Sequence, residues 1–161
     1  MRSVTLVTCL ALAGSLAALP SPLIAQKPVD PCSLLTAQDV SGVLGIKSLP
    51  GRPWMGTSKA SCFYSADTTY ELTARTATLM ILPTGGFEAG KQMSTKGPLA
   101  GKSAGVGDDS YYMSFEHYAK LEVRKGTHEF TVTVTPGPGQ TTIEQVGELE
   151  KALAKEAVAK L

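Results

Sequence analysis

The chain has 161 residues and an almost balanced charge, with 15 Lys and Arg residues against 14 Asp and Glu residues. Basic residues never occur in runs longer than two, so the surface is expected to be neutral and evenly mixed. Such a surface argues against nucleic-acid binding and against attraction to anionic membranes.

Residues 1–25 have the pattern of a secretory signal peptide. Arg2 precedes the uncharged run from Val4 to Leu19, and Leu23-Ile24-Ala25 suits cleavage after Ala25. An uncleaved membrane anchor is the alternative, but the run is shorter than the ~20 residues that a spanning helix needs. We therefore expect an exported protein, periplasmic or extracellular, with no stable membrane insertion after cleavage and a single domain over residues 26–161.

Two cysteines follow the predicted signal peptide, Cys32 and Cys62. In an oxidising compartment two cysteines allow only one pairing. A redox or metal site would call for a C-x-x-C spacing or nearby histidine ligands, and the sequence has neither. We predict a structural Cys32–Cys62 disulfide, no metal site and no cofactor.

The first half of the mature chain reads as one helix, three strands and a second helix. Thr36 and Asp39 form a capping box for the first helix, which Gly45 ends. The expected elements that follow are a strand at Ile46 to Leu49, a loop at residues 50–60, strands at Ser61 to Ala66 and Tyr70 to Leu82, and a helix from Gly86 to Thr95 capped by Thr84.

Residues 105–135 read as a glycine-rich approach followed by three antiparallel strands with alternating apolar and polar residues. This alternation predicts a core-facing row of Tyr111, Met113, Phe115, Ala119, Leu121, Val123, Phe130, Val132 and Val134. The opposite face, including Glu122, is expected to be solvated. With Lys125-Gly126 as a two-residue turn, Leu121 would lie opposite Phe130.

A final helix is predicted after the Pro136–Gly139 break, with Thr141 and Glu144 or Thr142 and Gln145 as its capping box. The resulting order is α-β-β-β-α-β-β-β-α. This order predicts an α+β fold with a single, mostly antiparallel sheet of about six strands and helices packed on one face.

The loop at residues 50–60 contains the candidate binding residues Arg52, Trp54 and Met55. Tryptophan, arginine and methionine are enriched at the centres of protein interfaces, and loops carried by a rigid sheet often bear binding residues. The alternative is that Trp54 folds back over the edge of the core near Cys62.

Catalytic patterns are weak in this sequence. His117 and His128 are expected about six residues apart along the sheet, or roughly 20 Å, too far to share a metal. Asp108 and Asp109 are expected to cap their loop rather than to bind Ca²⁺. The order Gly101-Lys102-Ser103 lacks the strand and helix that a phosphate-binding loop requires.

Several motifs together resemble those of a family of exported bacterial domains of unknown function, common among actinobacterial lipoproteins. The motifs are Asp30-Pro-Cys-Ser-Leu-Leu-Thr36, Val40 to Gly45, Cys62-Phe-Tyr, Gly105-x-Gly-Asp-Asp-x-Tyr111 and Leu121-x-Val-x-Lys-Gly126. The resemblance covers nearly the whole mature chain and implies a structural framework without catalytic residues. The lipidated cysteine of many members is missing here.

The sequence therefore favours an exported, non-catalytic module of the cell envelope that binds an envelope protein or a small ligand. Two alternatives remain open. One is a carrier that holds a small apolar ligand between sheet and helices, which would require an apolar cavity. The other is an unrecognised enzyme.

Overall fold

The computed structural model describes residues 28–54, 58–68, 74–93, 96–137, 139 and 141–161. The predicted signal peptide, Met55 and the first residues of the predicted Tyr70 to Leu82 strand lie outside these ranges. The elements are, in chain order, a 3-10 helix (Pro31–Ser33), α1 (Ala37–Leu44), β1 (Arg52–Trp54), β2 (Ser58–Ser65), β3 (Thr76–Ile81), α2 (Gly86–Gln92), β4 (Asp109–Ser114), β5 (Ala119–Lys125), β6 (His128–Thr135) and α3 (Ile143–Val158).

The predicted fold class is confirmed. The six strands form one sheet in the order β1-β2-β3-β6-β5-β4, and all neighbouring strands are antiparallel. The meander β4-β5-β6 therefore meets the first three strands through the β3–β6 pair, at the centre of the sheet.

Both long helices begin with the kind of cap that the sequence predicts. The Thr36 hydroxyl accepts from the Asp39 N–H at 3.1 Å, and the Asp39 carboxylate accepts from the Thr36 N–H at 2.7 Å. Gly45 ends α1 with φ of 66°, a left-handed conformation that favours glycine. For α3, Thr142 and Gln145 form the capping box, which decides between the two predicted alternatives.

The predicted strand at Ile46 to Leu49 is wrong, because pairing begins later, at Arg52 in β1. Gly51 explains the position of β1: a Cβ there would overlap the Tyr64 ring and the Cys62 sulfur. Glycine at position 51 therefore lets the chain approach these side chains of β2 closely just before the pairing begins. The predicted Thr84 cap of α2 is also wrong, since the N-cap residue is Gly85 and makes no side-chain bond.

The main core fills the space between α1, α3 and one face of the sheet, which we call the near face. Its fully buried side chains include Val40, Leu79, Leu121, Phe130, Val132 and Leu153. Helices α1 and α3 thus lie as predicted. Helix α2 does not, because its Phe87 packs with Tyr111 and Met113 on the opposite or far face.

This second helix accounts for an error in the predicted core row of β4. Tyr112 faces the main core, whereas Tyr111 and Met113 face α2, and the Phe115 side chain is exposed. Because both faces of β4 are covered, the alternation of its residues does not mark one buried face.

The β5–β6 register also differs from the predicted one. Lys125 pairs with His128 across a turn of Gly126 and Thr127, so Leu121 lies opposite Val132 rather than Phe130. Gly126 has φ of 58° and occupies the first position of the turn, where a two-residue hairpin of the favoured type needs a positive φ.

The predicted disulfide joins Cys32 to Cys62 in the structure. It ties the segment before α1 to β2 across a sequence separation of 30 residues. Closing a loop of this length removes freedom mainly from the unfolded chain.

We expect Cys32→Ala to lower the free energy of unfolding by about 2–4 kcal/mol. Urea denaturation of the oxidised protein and of the variant measures the difference, with reduced wild-type protein as the control that should match the variant. Equal midpoints for oxidised wild type and Cys32→Ala would contradict the expectation.

Gly90 determines how closely α2 approaches the far face, because a Cβ there would overlap the Tyr111 hydroxyl and the Glu122 carboxylate. We expect Gly90→Ala to destabilise the protein by about 1–3 kcal/mol through overpacking. Gly42→Ala in α1 is the matched control: a Cβ there meets nothing within 4 Å. The control should be neutral or stabilising by up to ~1 kcal/mol, and thermal denaturation of both variants compares them. A Gly90→Ala protein as stable as Gly42→Ala would show that α2 is not packed as described.

Candidate functional site

An open groove of about 390 Å³ lies at one end of the sheet. The β4–β5 hairpin, the last residues of β6 and the first turns of α3 surround it. Its lining residues are Glu116, His117, Tyr118, Ala119, Val134, Thr135, Pro136, Thr141, Ile143 and Val146. The volume falls in the lower part of the range for small-molecule sites.

The groove forms where β5 and β6 stop pairing. Their ladder runs from Lys125 and His128 to Leu121 and Val132. Val134 remains paired with β3, but its N–H donates to Glu150 Oε1 of α3 at 3.1 Å. A side chain from the helix thus takes the place of a strand carbonyl, and the end of the β5–β6 seam stays open.

Close packing of α3 on the sheet brings Glu150 to this position. The Tyr112 hydroxyl donates to the Gly147 carbonyl at 2.7 Å. A Cβ on Gly147 would overlap the Leu99 side chain and press on the Tyr112 ring. Glycine at position 147 therefore lets the helix approach β4 closely enough for the next turn to reach the backbone of β6.

The Glu150 carboxyl is fully buried, and burial affects its protonation. Burial raises its pKa from 4.5 to about 9, against the smaller opposing effect of the Val134 N–H. The group is therefore a neutral carboxylic acid at pH 7. Within the described residues, Glu150 Oε2 has no hydrogen-bond partner, and buried polar atoms of this kind are rare in native proteins.

Tyr118 lines the groove and stacks on the neighbouring ring of Phe115. Phe115 and Tyr118 stack with 5.9 Å between ring centres and 27° between planes, and each is 44% exposed. The turn is held by a 2.7 Å bond from the Phe115 N–H to the Tyr118 carbonyl. Glu116 and His117, between them, extend into solvent. This rim combines apolar surface with polar groups, as binding sites commonly do.

The predicted binding residues Arg52 and Trp54 lie on β1, at the opposite edge of the sheet from β4. Trp54 is half-buried and meets the Phe63 ring edge-on at 4.8 Å. The Arg52 guanidinium lies 5.1 Å from the centre of the same ring and donates to Asp67 O and Ser65 Oγ. Both side chains are thus engaged with β2, away from the groove, and the structure does not describe Met55.

The other chemistry-bearing residues are not brought together. His117 lies at the groove, whereas His128 pairs with Lys125 at the other end of β5. Asp108 caps the β5–β6 turn, since its carboxylate accepts from the Gly126 N–H at 2.7 Å and from Lys125 Nζ at 2.8 Å. Across the described ranges, no group of three or more His, Cys, Asp or Glu residues is placed to hold a metal ion.

A second buried acid lies on the far face. Glu122 was predicted to be solvated, but its side chain is only 2% exposed because α2 covers it. Lys120 Nζ contacts its Oε1 at 2.8 Å, and the Tyr111 hydroxyl donates to its Oε2 at 2.5 Å. Both oxygens are therefore occupied beneath Gly90, and this cluster is closed to a ligand.

The importance of Glu150 was not recognised from the sequence, although the signal was present. The buried stripe of α3 includes Val146, Glu150, Leu153 and Ala157. Spacings of three and four place Glu150 in the middle of that stripe. An acidic residue at a core position of an amphipathic helix is the pattern that should prompt a search for a buried partner.

Comparisons with known proteins do not add a family or a function. No protein-family profile matches the chain, and searches of curated proteins and of solved structures find no significant match. Among the residues that the structure describes, no helix is both long and apolar enough to cross a membrane.

The raised pKa of Glu150 makes stability depend on pH in a definite direction. The folded protein holds the Glu150 proton more tightly than the unfolded chain does, so this group lowers stability as pH rises from about 4.5 to about 9. Tyr112 does not titrate in that interval, because the usual pKa of tyrosine already lies above it and burial raises the pKa of Tyr112 further.

We expect Glu150→Gln to keep the bond to Val134 and to remove this dependence. The variant should match wild type near pH 4.5 and exceed it increasingly at higher pH, by up to about 1.4 kcal/mol per pH unit. Urea denaturation at pH 5, 6.5 and 8 measures the difference. Glu148→Gln, on an exposed face of the same helix, is the control. Parallel pH profiles for wild type and Glu150→Gln would contradict a buried, protonated Glu150.

Proposed function

We propose that the protein is an exported, non-catalytic binding module of the cell envelope and that the groove beside α3 is its small-ligand site. The groove itself carries this proposal: three separate elements build it, and its lining includes Tyr118, whose ring stacks on that of Phe115. Export is part of the proposal and is supported by the signal-like sequence of residues 1–25 and the Cys32–Cys62 disulfide.

The absence of catalysis is likewise proposed. His117 is the histidine that lines the groove, and its Nε2 lies 3.7 Å from Glu116 Oε1, with both side chains 88% exposed. A catalytic base is normally oriented by a fixed second group and shielded from bulk water. Neither condition is met by such an exposed pair, so binding is the better account of the groove.

A surface groove is favoured over the carrier alternative. The side chains between sheet and helices, including Leu79, Leu121 and Leu153, pack as one contiguous cluster. The groove lies instead at the end of the sheet and is open to solvent. Resemblance to the exported domains of unknown function agrees with this role but names no ligand.

The proposal is tested by locating where small aromatic fragments bind. We expect a fragment mixture of phenyl ketones, amides and alcohols to shift backbone amide resonances in residues 116–119, 134–135 and 141–146 of the ¹⁵N-labelled protein.

Ile143→Trp should abolish these shifts, because Ile143 is half-buried in the groove wall and a larger ring there fills the space. Glu144→Trp adds the same ring at the neighbouring exposed position outside the groove and should leave binding unchanged. Fragments that shift residues elsewhere, or that bind Ile143→Trp as well as wild type, would contradict the proposed site.

A further inference from the structure

The lining of the groove carries an acid and no permanent base. Glu116 contributes a carboxylate on a side chain that is 88% exposed, and the described residues that line the groove include no Lys or Arg. Lys120 directly follows the lining residue Ala119, but its ammonium group lies on the far face, 2.8 Å from Glu122 Oε1. A charged ligand in the groove would therefore meet an anion, which favours a cation over an anion.

The amino end of α3 also borders the groove, at Ile143. Helix amino ends attract anions through their unpaired N–H groups. Here the Thr142 hydroxyl accepts from the Gln145 N–H, and Glu144 adds a negative charge to the first turn. These two features offset the positive end of the helix, so the carboxylate of Glu116 remains the main charge that a ligand meets.

The remaining lining suits a cation with an apolar surface. Tyr118 lines the groove and is 44% exposed, and the face of an aromatic ring attracts cations, quaternary ammonium groups among them. The apolar walls come from Val134, Pro136, Ile143 and Val146. A primary ammonium group needs acceptors for three N–H donors, whereas the methyl groups of a quaternary ammonium ion pack directly on apolar walls.

We propose that the groove binds a small quaternary ammonium compound, whose cation contacts the Tyr118 ring and the Glu116 carboxylate while its methyl groups pack on the apolar walls. This inference rests on the proposed function of the groove. The volume of about 390 Å³ accommodates a molecule of this kind. A phosphatidylcholine headgroup has the same cation, but its phosphate would find no basic residue in the described lining. The ligand is therefore a free quaternary ammonium compound.

Choline and 3,3-dimethylbutan-1-ol test the proposal, because they share one shape and differ in the charge of a single central atom. Each is titrated into the ¹⁵N-labelled protein, with the amides of residues 116–119, 134–135 and 141–146 as readout. The titrations are run at pH 8, where histidine side chains are ordinarily neutral. Phosphocholine is the third probe and represents the lipid headgroup.

We expect choline to bind wild type about fivefold more tightly than 3,3-dimethylbutan-1-ol. Glu116→Gln and Tyr118→Leu should each reduce this ratio to about twofold, because one removes the carboxylate and the other the ring. Tyr118→Phe keeps the ring and should keep the ratio. Glu156→Gln makes the same charge change at an exposed position of α3, about 20 Å along the helix from Ile143, and should keep it too.

Added salt gives a second measurement that needs no variant. Raising the NaCl concentration from about 20 mM to about 300 mM screens exposed charges, so it should weaken choline binding about twofold and leave the neutral isostere unaffected. Phosphocholine should bind more weakly than choline. Tighter binding of phosphocholine would indicate an anion site or a lipid headgroup site and would overturn the inference.

Equal affinities of choline and its neutral isostere would show the inference to be wrong while the proposed function stands. A preference for choline that both Glu116→Gln and Tyr118→Leu leave unchanged would do the same. So would groove amides that respond to aromatic fragments and to neither choline nor its isostere. If no small molecule shifts the groove amides, the proposed function fails as well.

Discussion

The contact between Glu150 and the Val134 N–H determines the architecture of one whole end of the molecule. A strand that loses its neighbour leaves backbone groups unpaired, and burying such groups is costly. Here α3 supplies the missing acceptor from a side chain, so β5 and β6 separate without leaving the Val134 N–H unpaired. The close approach of α3 at Gly147 allows Glu150 to reach the Val134 N–H in place of a strand carbonyl. The groove lies where the two strands separate.

The far face is covered by α2, which a different set of contacts holds against the sheet. Phe87 and Gly90 of α2 lie against the sheet, and surface ion pairs such as Arg124 with Glu88 hold the helix in place. Arg124 also lies 4.9 Å from the centre of the Phe87 ring, which adds a cation–π contact. A short helix with few apolar residues is thus retained by a mixture of one aromatic anchor and peripheral charges.

The sequence predicted those features that local chemistry determines. The Thr36 cap, the left-handed Gly45, the Cys32–Cys62 pair and the alternation of β5 and β6 each depend on residues close in the chain or on a count of cysteines. Errors arose where tertiary contacts decide. The turn at Gly126 and Thr127 differs from the predicted one by a single residue, which moves every cross-strand partner by two positions and keeps the buried face unchanged. The alternation of apolar and polar residues is the same in both registers and therefore cannot distinguish them.

The candidate site was missed for a related reason. The residue types of Arg52 and Trp54 are common at interfaces, but residue type alone does not show that Phe63, Ser65 and Asp67 contact them. The residues around the groove are ordinary in type and come from segments far apart in the chain, between Glu116 and Val146. Such a site becomes recognisable only once the ends of β5, β6 and α3 are placed together.

Two glutamates are fully buried in the part of the chain that the structure describes, and their partners differ. Glu122 has a cation on one oxygen and a hydroxyl donor on the other, so its interactions are complete within the fold. Glu150 has one backbone donor and no cation among its described partners, and burial consequently favours its neutral form. A neutral acid keeps a proton that it can donate, whereas a paired carboxylate can only accept. The same type of side chain therefore has both oxygens engaged on the far face and only one engaged beside Val134, and the difference follows from which partners each strand and helix brings within reach.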